Sequence, residues 1–132
     1  MTQVLEGITV LDFTQGMAGA IATMVLSDFG AEVIKIEPPD GDAYREFPSS
    51  LLWNRGKKSV VLDSYSKEAS EKIRRLTERA DVIIETFNPG YAKALGVDYE
   101  TLQVYRPDLV YCSITFFWRE GPYAGYKNYE GL

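Results

Sequence analysis

Four carboxylates stand where apolar, strand-like runs stop: Asp12 in Val10-Leu11-Asp12-Phe13, Glu37 after Ile34-Lys35-Ile36, Asp63 after Val60-Val61-Leu62, and Glu85 after Val82-Ile83-Ile84. A carboxylate at the mouth of a sheet can act as a base, a nucleophile or a ligand for a substrate hydroxyl, and it also fits the commoner role of a turn or cap residue. The 132-residue chain has no histidine and one cysteine, Cys112. Imidazole proton shuttling, a zinc site of the usual kind and an internal disulfide framework are thereby excluded, and no metal site is expected. Chemistry must run on carboxylates, hydroxyls and backbone groups.

Two further patterns point to anions. Gly16 and Gly19 follow the first strand-like run in a small-residue turn that leads into a helix, and a helix N-terminus with flexible backbone favours phosphate. The dinucleotide fingerprint GxGxxG fails, because Ala18 and Ile21 occupy its other glycine positions; only Glu37, placed like a ribose-binding acid, keeps a nicotinamide reading alive. Arg55-Gly56-Lys57-Lys58-Ser59 lacks the spacer and leading glycine of a P-loop and precedes a strand rather than a helix. Its cations suit either contact with a phosphorylated ligand or a solvated basic turn.

A net charge of −5 argues against nucleic acid or anionic lipid as partner. Met1-Thr2-Gln3 carries no basic leader pattern, and the longest charge-free stretch, residues 13–27, falls short of the ~20 apolar residues of a membrane span. A cytoplasmic protein is expected, and the lone thiol fits a reducing compartment.

The elements that must position these residues read as an alternation. Residues 8–13 form a strand, residues 21–29 a helix closed by Gly30, and residues 32–37 a second strand stopped by Pro38-Pro39, so the unit is βαβ with parallel strands. Residues 38–58 form a long loop with a short helix around Ser49–Trp53, followed by a third strand over 59–63. Ser66 caps a helix running to about Arg79, with Ala69, Ile73, Leu76 and Ala80 on one face and Glu68–Lys72 and Glu71–Arg75 paired on the other. Strands over 81–85 and 109–116 bracket short helices over 91–95 and 99–105. The pattern predicts an α/β fold, a doubly wound, Rossmann-like and mostly parallel sheet, with ligands at the loops after Phe13, Glu37, Asp63, Glu85 and Phe116. The first helix is apolar on nearly every side, and the tail over 121–132 is aromatic and glycine-rich with no terminating element. Both imply surface that another subunit or a C-terminal continuation covers.

Leu5-Glu6-Gly7-Ile8-Thr9-Val10-Leu11-Asp12-Phe13-Thr14 with Ala18-Gly19, then Asp28-Phe29-Gly30-Ala31-Glu32-Val33-Ile34-Lys35-Ile36-Glu37-Pro38, resembles the opening of the class III CoA-transferases, a family of formyl-CoA, carnitine-CoA and bile-acid CoA transferases and related α-methylacyl-CoA racemases. The likeness continues through Asn54-Arg55-Gly56-Lys57-Lys58-Ser59, Leu62-Asp63, Ala80-Asp81-Val82, Glu85, Phe87, Pro89-Gly90 and Pro107-Asp108-Leu109-Val110-Tyr111-Cys112-Ser113-Ile114. It implies that residues 1–132 are the N-terminal CoA-binding domain of a longer, two-domain subunit that interlocks into a dimer. The smaller second domain would lie outside this chain. Transferases of the family use an aspartate nucleophile and pass through anhydride and aspartyl-CoA thioester intermediates, and the resemblance puts that aspartate after Leu132.

Carried over one position at a time, the resemblance implies that Gln15, Met17 and Ala18 border the thioester and pantetheine. It puts Leu62, Asp63, Ser64 and Tyr65 along the nucleotide end of CoA, with Thr86, Phe87 and Asn88 in the loop after the fourth strand. Lys127 and Tyr129 would contact CoA and Glu130 would stand near the reaction centre as an auxiliary group. Ala94 replaces a common arginine of the family, with Lys93 beside it as substitute cation, and Phe116 and Trp118 stand where glycines are usual, which would narrow the acyl pocket. CoA and acyl-CoA enter as substrates, with a carboxylic acid as acceptor; no tightly bound cofactor is expected. The expected assembly is a homodimer, or a heteromer with a longer family chain. The alternatives are a noncatalytic or degenerate subunit of such an enzyme and a 2-methylacyl-CoA racemase, the latter disfavoured by the missing histidine.

Overall fold

Short runs of Val, Ile and Leu alternate with helical segments, and in the computed structural model, which describes residues 2–63, 67–117 and 120–126, these runs lie side by side in parallel. The elements are β1 (Thr9–Phe13), α1 (Met17–Asp28), β2 (Glu32–Glu37), α2 (Ser49–Trp53), β3 (Lys58–Val61), α3 (Lys67–Thr77), β4 (Val82–Glu85), α4 (Tyr91–Leu95), α5 (Tyr99–Leu102) and β5 (Val110–Ser113). The sheet order is β3-β2-β1-β4-β5. The chain winds outward from β1 to β3 and returns to set β4 on the other edge of β1, so the winding reverses between β1 and β4.

Register decides where the strands end. Glu85 pairs with Ser113 and its carbonyl accepts from the Ile114 amide at 2.9 Å, and β4 stops there, so β5 ends at Ser113, short of the Phe116 expected from its apolar run. Glu37 pairs with Val61 before Pro38 and Pro39 close β2, so β3 stops at Val61 although the apolar run reaches Leu62. The amide of Leu62 still donates to Glu37 O. Helix α5 is likewise shorter than its sequence suggests, ending at Leu102 ahead of Pro107.

The two faces of the sheet differ. Leu11, Phe13, Ile36 and Ile83 meet Leu62, Ile73, Ala80, Val97, Leu102 and Leu109 in one apolar core on the side of α3 and α5. On the α1 side lies a smaller cluster, with Val10, Ala31 and Val33 toward the amino ends of β1 and β2 and Ile84 beside Asp12 on β4. The carboxyl ends of that face carry the buried polar residues Asp12, Lys35 and Glu37 instead.

Helix α1 turns small residues inward: Gly19, Ala20 and Thr23 are its buried positions. Leu26 packs on the sheet cluster, but Met17, Ile21 and Val25, with Phe29 just past the helix, lie on its open side, between 36% and 53% exposed. The apolar surplus read in the sequence is therefore a stripe at four-residue spacing on the open side of the helix. Among the described residues no helix is long and apolar enough to cross a membrane.

Candidate functional site

The winding reversal sets two loops next to each other at the carboxyl ends of β1 and β4, residues 14–16 and 86–90. The Thr86 hydroxyl ties them together: it accepts from the amide of Gln15 at 2.8 Å and donates to Gln15 O at 3.1 Å. Gly16 precedes α1 with φ 85°, a conformation in which a side chain is strained. Gly19 answers to packing: a Cβ there would lie 2.2 Å from Thr14 Cβ. One glycine thus shapes the turn and the other lets the helix close on the loop, which accounts for GxxG without a dinucleotide fingerprint.

Thr14 is held from three sides. Its amide and hydroxyl both donate to Asp12 Oδ1, at 2.9 and 2.6 Å, and its carbonyl accepts from Lys35 Nζ at 2.8 Å. Asp12 Oδ2 accepts from Thr23 Oγ1 at 2.6 Å and from Lys57 Nζ at 3.1 Å. Every lone pair of this fully buried carboxylate is engaged, so Asp12 orders the loop and is no free base or nucleophile. Lys35 completes its contacts with Asp42 at 2.8 Å, both side chains being nearly inaccessible.

Glu37 is similarly occupied, accepting from Arg45 Nε at 3.0 Å, Arg45 Nη2 at 2.5 Å and Ser59 Oγ at 2.6 Å. Burial alone would raise its pKa, but the hydrogen bonds from Arg45 and Ser59 and the charges of Arg45 and Lys35 outweigh that and hold it below its ordinary value. Oε1 accepts one bond and Oε2 two, and the side chain is buried, which leaves no exposed carboxylate for a ribose-binding role. The Arg55-to-Lys58 turn is solvated at Arg55 and Lys58, which pair with Asp28 and Glu32 at the surface, whereas Lys57 turns inward and is buried against Asp12. Burial pushes the Lys57 ammonium below its ordinary pKa, and Asp12 draws it part of the way back. These ion pairs tie the turn to α1 through Asp28, to β1 through Asp12 and to β2 through Glu32.

A cleft of about 600 Å³ opens beside the β4 loop, lined by Glu85, Phe87, Asn88, Pro89, Gly90, Ala92, Lys93, Asp98, Glu100, Thr101 and Thr115. It brings together three of the expected CoA residues, Phe87, Asn88 and Lys93. Two of its carboxylates are turned to the backbone, Glu85 accepting from the Phe87 amide at 2.5 Å and Asp98 capping α5 through Thr101. Lys93 is the cation of its wall, so the cleft suits uncharged, hydrogen-bonding parts of a ligand better than a diphosphate. Phe87 packs in tilted geometry against Tyr91 and Phe13, with ring centroids 5.2 and 6.2 Å apart, fixing the apolar wall.

The other expected positions fall elsewhere. Gln15, Met17 and Ala18 are exposed at the start of α1, across the Thr86 bridge from the cleft. Leu62 is a core residue, leaving only its backbone to face a ligand, and Asp63 is exposed. Ser64, Tyr65, Trp118, Lys127, Tyr129 and Glu130 lie outside the described residues. Sequence reasoning missed Lys35, Asp42, Asn54 and Thr23 as determinants of the loop; the available signal was a lysine inside the apolar strand Val33-Ile34-Lys35-Ile36. Among the described residues no cluster of carboxylate and thiol groups is arranged to hold a metal ion.

The chain thus has an open parallel sheet whose central loops are tied together at the switch point, the place where such sheets hold ligands, with a cleft at their side. Residues 5–132 match the family model described as CoA-transferase family III, and the chain belongs to that family. It is 42% identical over 131 residues to the probable fatty acyl-CoA transferase Rv3272 of Mycobacterium tuberculosis, covering 91% of this chain and 33% of that protein. It is 39% identical over 142 residues to the succinate–glutarate CoA-transferase of Agrobacterium fabrum, covering 96% and 36%. The crystal structure of a CAIB/BAIF family protein from Brucella suis superposes with a TM-score of 0.93 at 38% identity, over 98% of this chain and 38% of that one. The chain spans about a third of the length of these relatives.

Proposed function

We propose that this chain is the CoA-binding part of an enzyme that transfers CoA from an acyl-CoA to a carboxylic acid. The observation that carries the reading is the joined pair of loops at the switch point, opening on a cleft with Phe87, Asn88 and Lys93, in a chain of this family. The β4 cleft takes the neutral, hydrogen-bonding length of the ligand against Phe87. Gln15, Met17 and Ala18 border the thioester at the start of α1, where the helix dipole favours the negative charge that develops as the carbonyl is attacked.

In the proposed sequence an aspartate outside this chain attacks the acyl carbon, and an enzyme–acyl anhydride forms as the CoA thiolate leaves. The thiolate then attacks the aspartyl carbonyl of the anhydride, releasing the first acid and leaving an aspartyl-CoA thioester. The acceptor carboxylate attacks the aspartyl carbonyl, expels the thiolate and forms a new anhydride, from which the thiolate takes the acceptor acyl group and frees the aspartate. The part of this chain is to hold CoA beside the anhydride and keep water away from it. Lys127 and Tyr129 as CoA contacts and Glu130 as an auxiliary group at the reaction centre follow from the resemblance. The exposed stripe of α1 supports an assembled dimer or heteromer in which that face is covered.

The test is made on the native protein. Isothermal titration with CoA is expected to show saturable binding, and incubation with acyl-CoA followed by intact-mass analysis a CoA-sized covalent adduct. No binding overturns the reading; binding without an adduct, and without exchange of CoA into a carboxylic acid, supports the noncatalytic subunit instead.

A further inference from the structure

We infer that Lys57 is a positioning residue: through Asp12 and the first turn of α1 it sets the geometry of the β1–α1 loop that the proposed function places against acyl-CoA. Lys57 enters from the turn before β3, 45 positions along the chain from Asp12, and its side chain is only 2% exposed. All three of its donors are used within the fold, on Asp12 Oδ2 at 3.1 Å, Ala20 O at 3.0 Å and Asn54 Oδ1 at 3.0 Å. Ala20 belongs to the first turn of α1. Asp12 passes the constraint on to the Thr14 amide and hydroxyl and to Thr23. The ammonium therefore grips the helix start directly and the loop through one carboxylate.

Stability by itself does not call for this arrangement. A buried ion pair gains little over well-packed apolar groups of the same volume, and this same face of the sheet is packed with Val10 and Val33 at the amino ends of β1 and β2 and with Ile84 in register with Asp12 itself. The charges appear only where the sheet face passes under the loop, and there each donor meets a particular acceptor. Asp42 and Lys35 form the neighbouring pair, and Lys35 holds the one Thr14 backbone group that Asp12 does not. The ionisable groups facing Lys57 are thus Asp12, Lys35 and Asp42, two carboxylates against one further cation.

The test compares the native protein with the charge-neutral pair Asp12→Asn/Lys57→Met, which avoids stranding a buried charge. The pair is expected to fold, to bind CoA about tenfold or more weakly, and to speed amide hydrogen exchange at residues 14–18 while the strands stay protected. Ile83→Val, on the opposite face, is the control; it lowers stability and leaves CoA affinity and loop exchange as in the native protein. Unchanged loop exchange in the neutral pair overturns the inference. If the native protein does not bind CoA, the proposed function fails, and loop exchange alone still decides the role of Lys57. Should the neutral pair not fold, Asn54→Ala removes one acceptor of Lys57 and keeps both charges; faster exchange at residues 14–18 with the strands protected supports the inference, and no change overturns it.

Discussion

The two faces of the sheet solve different problems with the same strands. Toward α3 and α5, alternate residues Leu11, Phe13, Ile36 and Ile83 enter a continuous apolar core, and each fully buried side chain of that kind contributes about 1.5–3 kcal/mol without preferring one partner atom over another. Toward α1, the carboxyl ends carry Asp12, Lys35 and Glu37, whose interactions are directional and whose net contribution over apolar packing is small. The apolar face keeps the sheet folded. The ionic face says where two loops and a helix start must lie.

Breaking each face should therefore have a different signature. Asp12→Ala leaves the Lys57 ammonium buried without its carboxylate and frees the Thr14 and Thr23 donors, and it should cost about 3–5 kcal/mol in a urea titration. A loss of less than about 1 kcal/mol would mean that the network relaxes freely and specifies nothing. Ile83→Ala, fully buried on the other face, should cost about 2–4 kcal/mol, yet the folded fraction should bind CoA with unaltered affinity. Equal effects on affinity from both faces would erase the distinction.

Most of the apolar face was legible in the sequence because its rule is local. The apolar run Val10-Leu11-Asp12-Phe13 and the face formed by Ala69, Ile73 and Leu76 in α3 and Ala80 just beyond it need only neighbours in the chain to be read, and Ala69, Ile73 and Ala80 are buried and Leu76 partly buried as expected. The ionic face was not legible. Lys57 and Asp12 stand 45 positions apart and Lys35 reaches Thr14 across 21, so their pairing exists only once β1, β2 and β3 are in register. The basic turn showed charge but not direction, and nothing in it announced that Lys57 turns inward to Asp12. The candidate site divides in the same way: Phe87 and Asn88 follow from a strand end and a Pro-Gly turn, whereas the bond from Thr86 to Gln15 depends on which strands become neighbours.

Gly19→Ala probes the contact between these schemes. The added Cβ would stand 2.2 Å from Thr14 Cβ, so either α1 or the loop must shift, and about 1–3 kcal/mol of stability should be lost. The displaced side chain is the one held by Asp12, so the loop's amide exchange should rise together with that loss. A variant of native stability would show that α1 moves without cost and that the network does not fix its distance from the sheet.

Acid separates the faces without mutation. Glu37 has a lowered pKa in the fold, so its contribution is fully present above its unfolded value of 4.5 and is lost as pH falls through the folded value. The native protein should lose stability below about pH 4.5, and Glu37→Gln should flatten part of that slope. An identical slope in the variant would mean that the ion pair with Arg45 adds nothing to the ionic face at neutral pH.

The smallest effect tests whether burial, rather than charge as such, gives the ionic face its role. Arg75 and Glu71 form an ion pair at 2.6 Å on the outer side of α3, with side chains 69% and 57% exposed, in the i, i+4 relation read from the sequence. Water screens both charges, and two flexible side chains must be ordered to bring them together, so Arg75→Ala should cost no more than about 0.5 kcal/mol. The cost should shrink further in 1 M salt, where the screening length is about 3 Å. Lys57 and Asp12 sit in the same charge relation at 3.1 Å but exclude water, and salt should barely alter the cost of separating them. If the surface pair proved as costly and as insensitive to salt as the buried one, the contrast between the two faces would reduce to a count of charges.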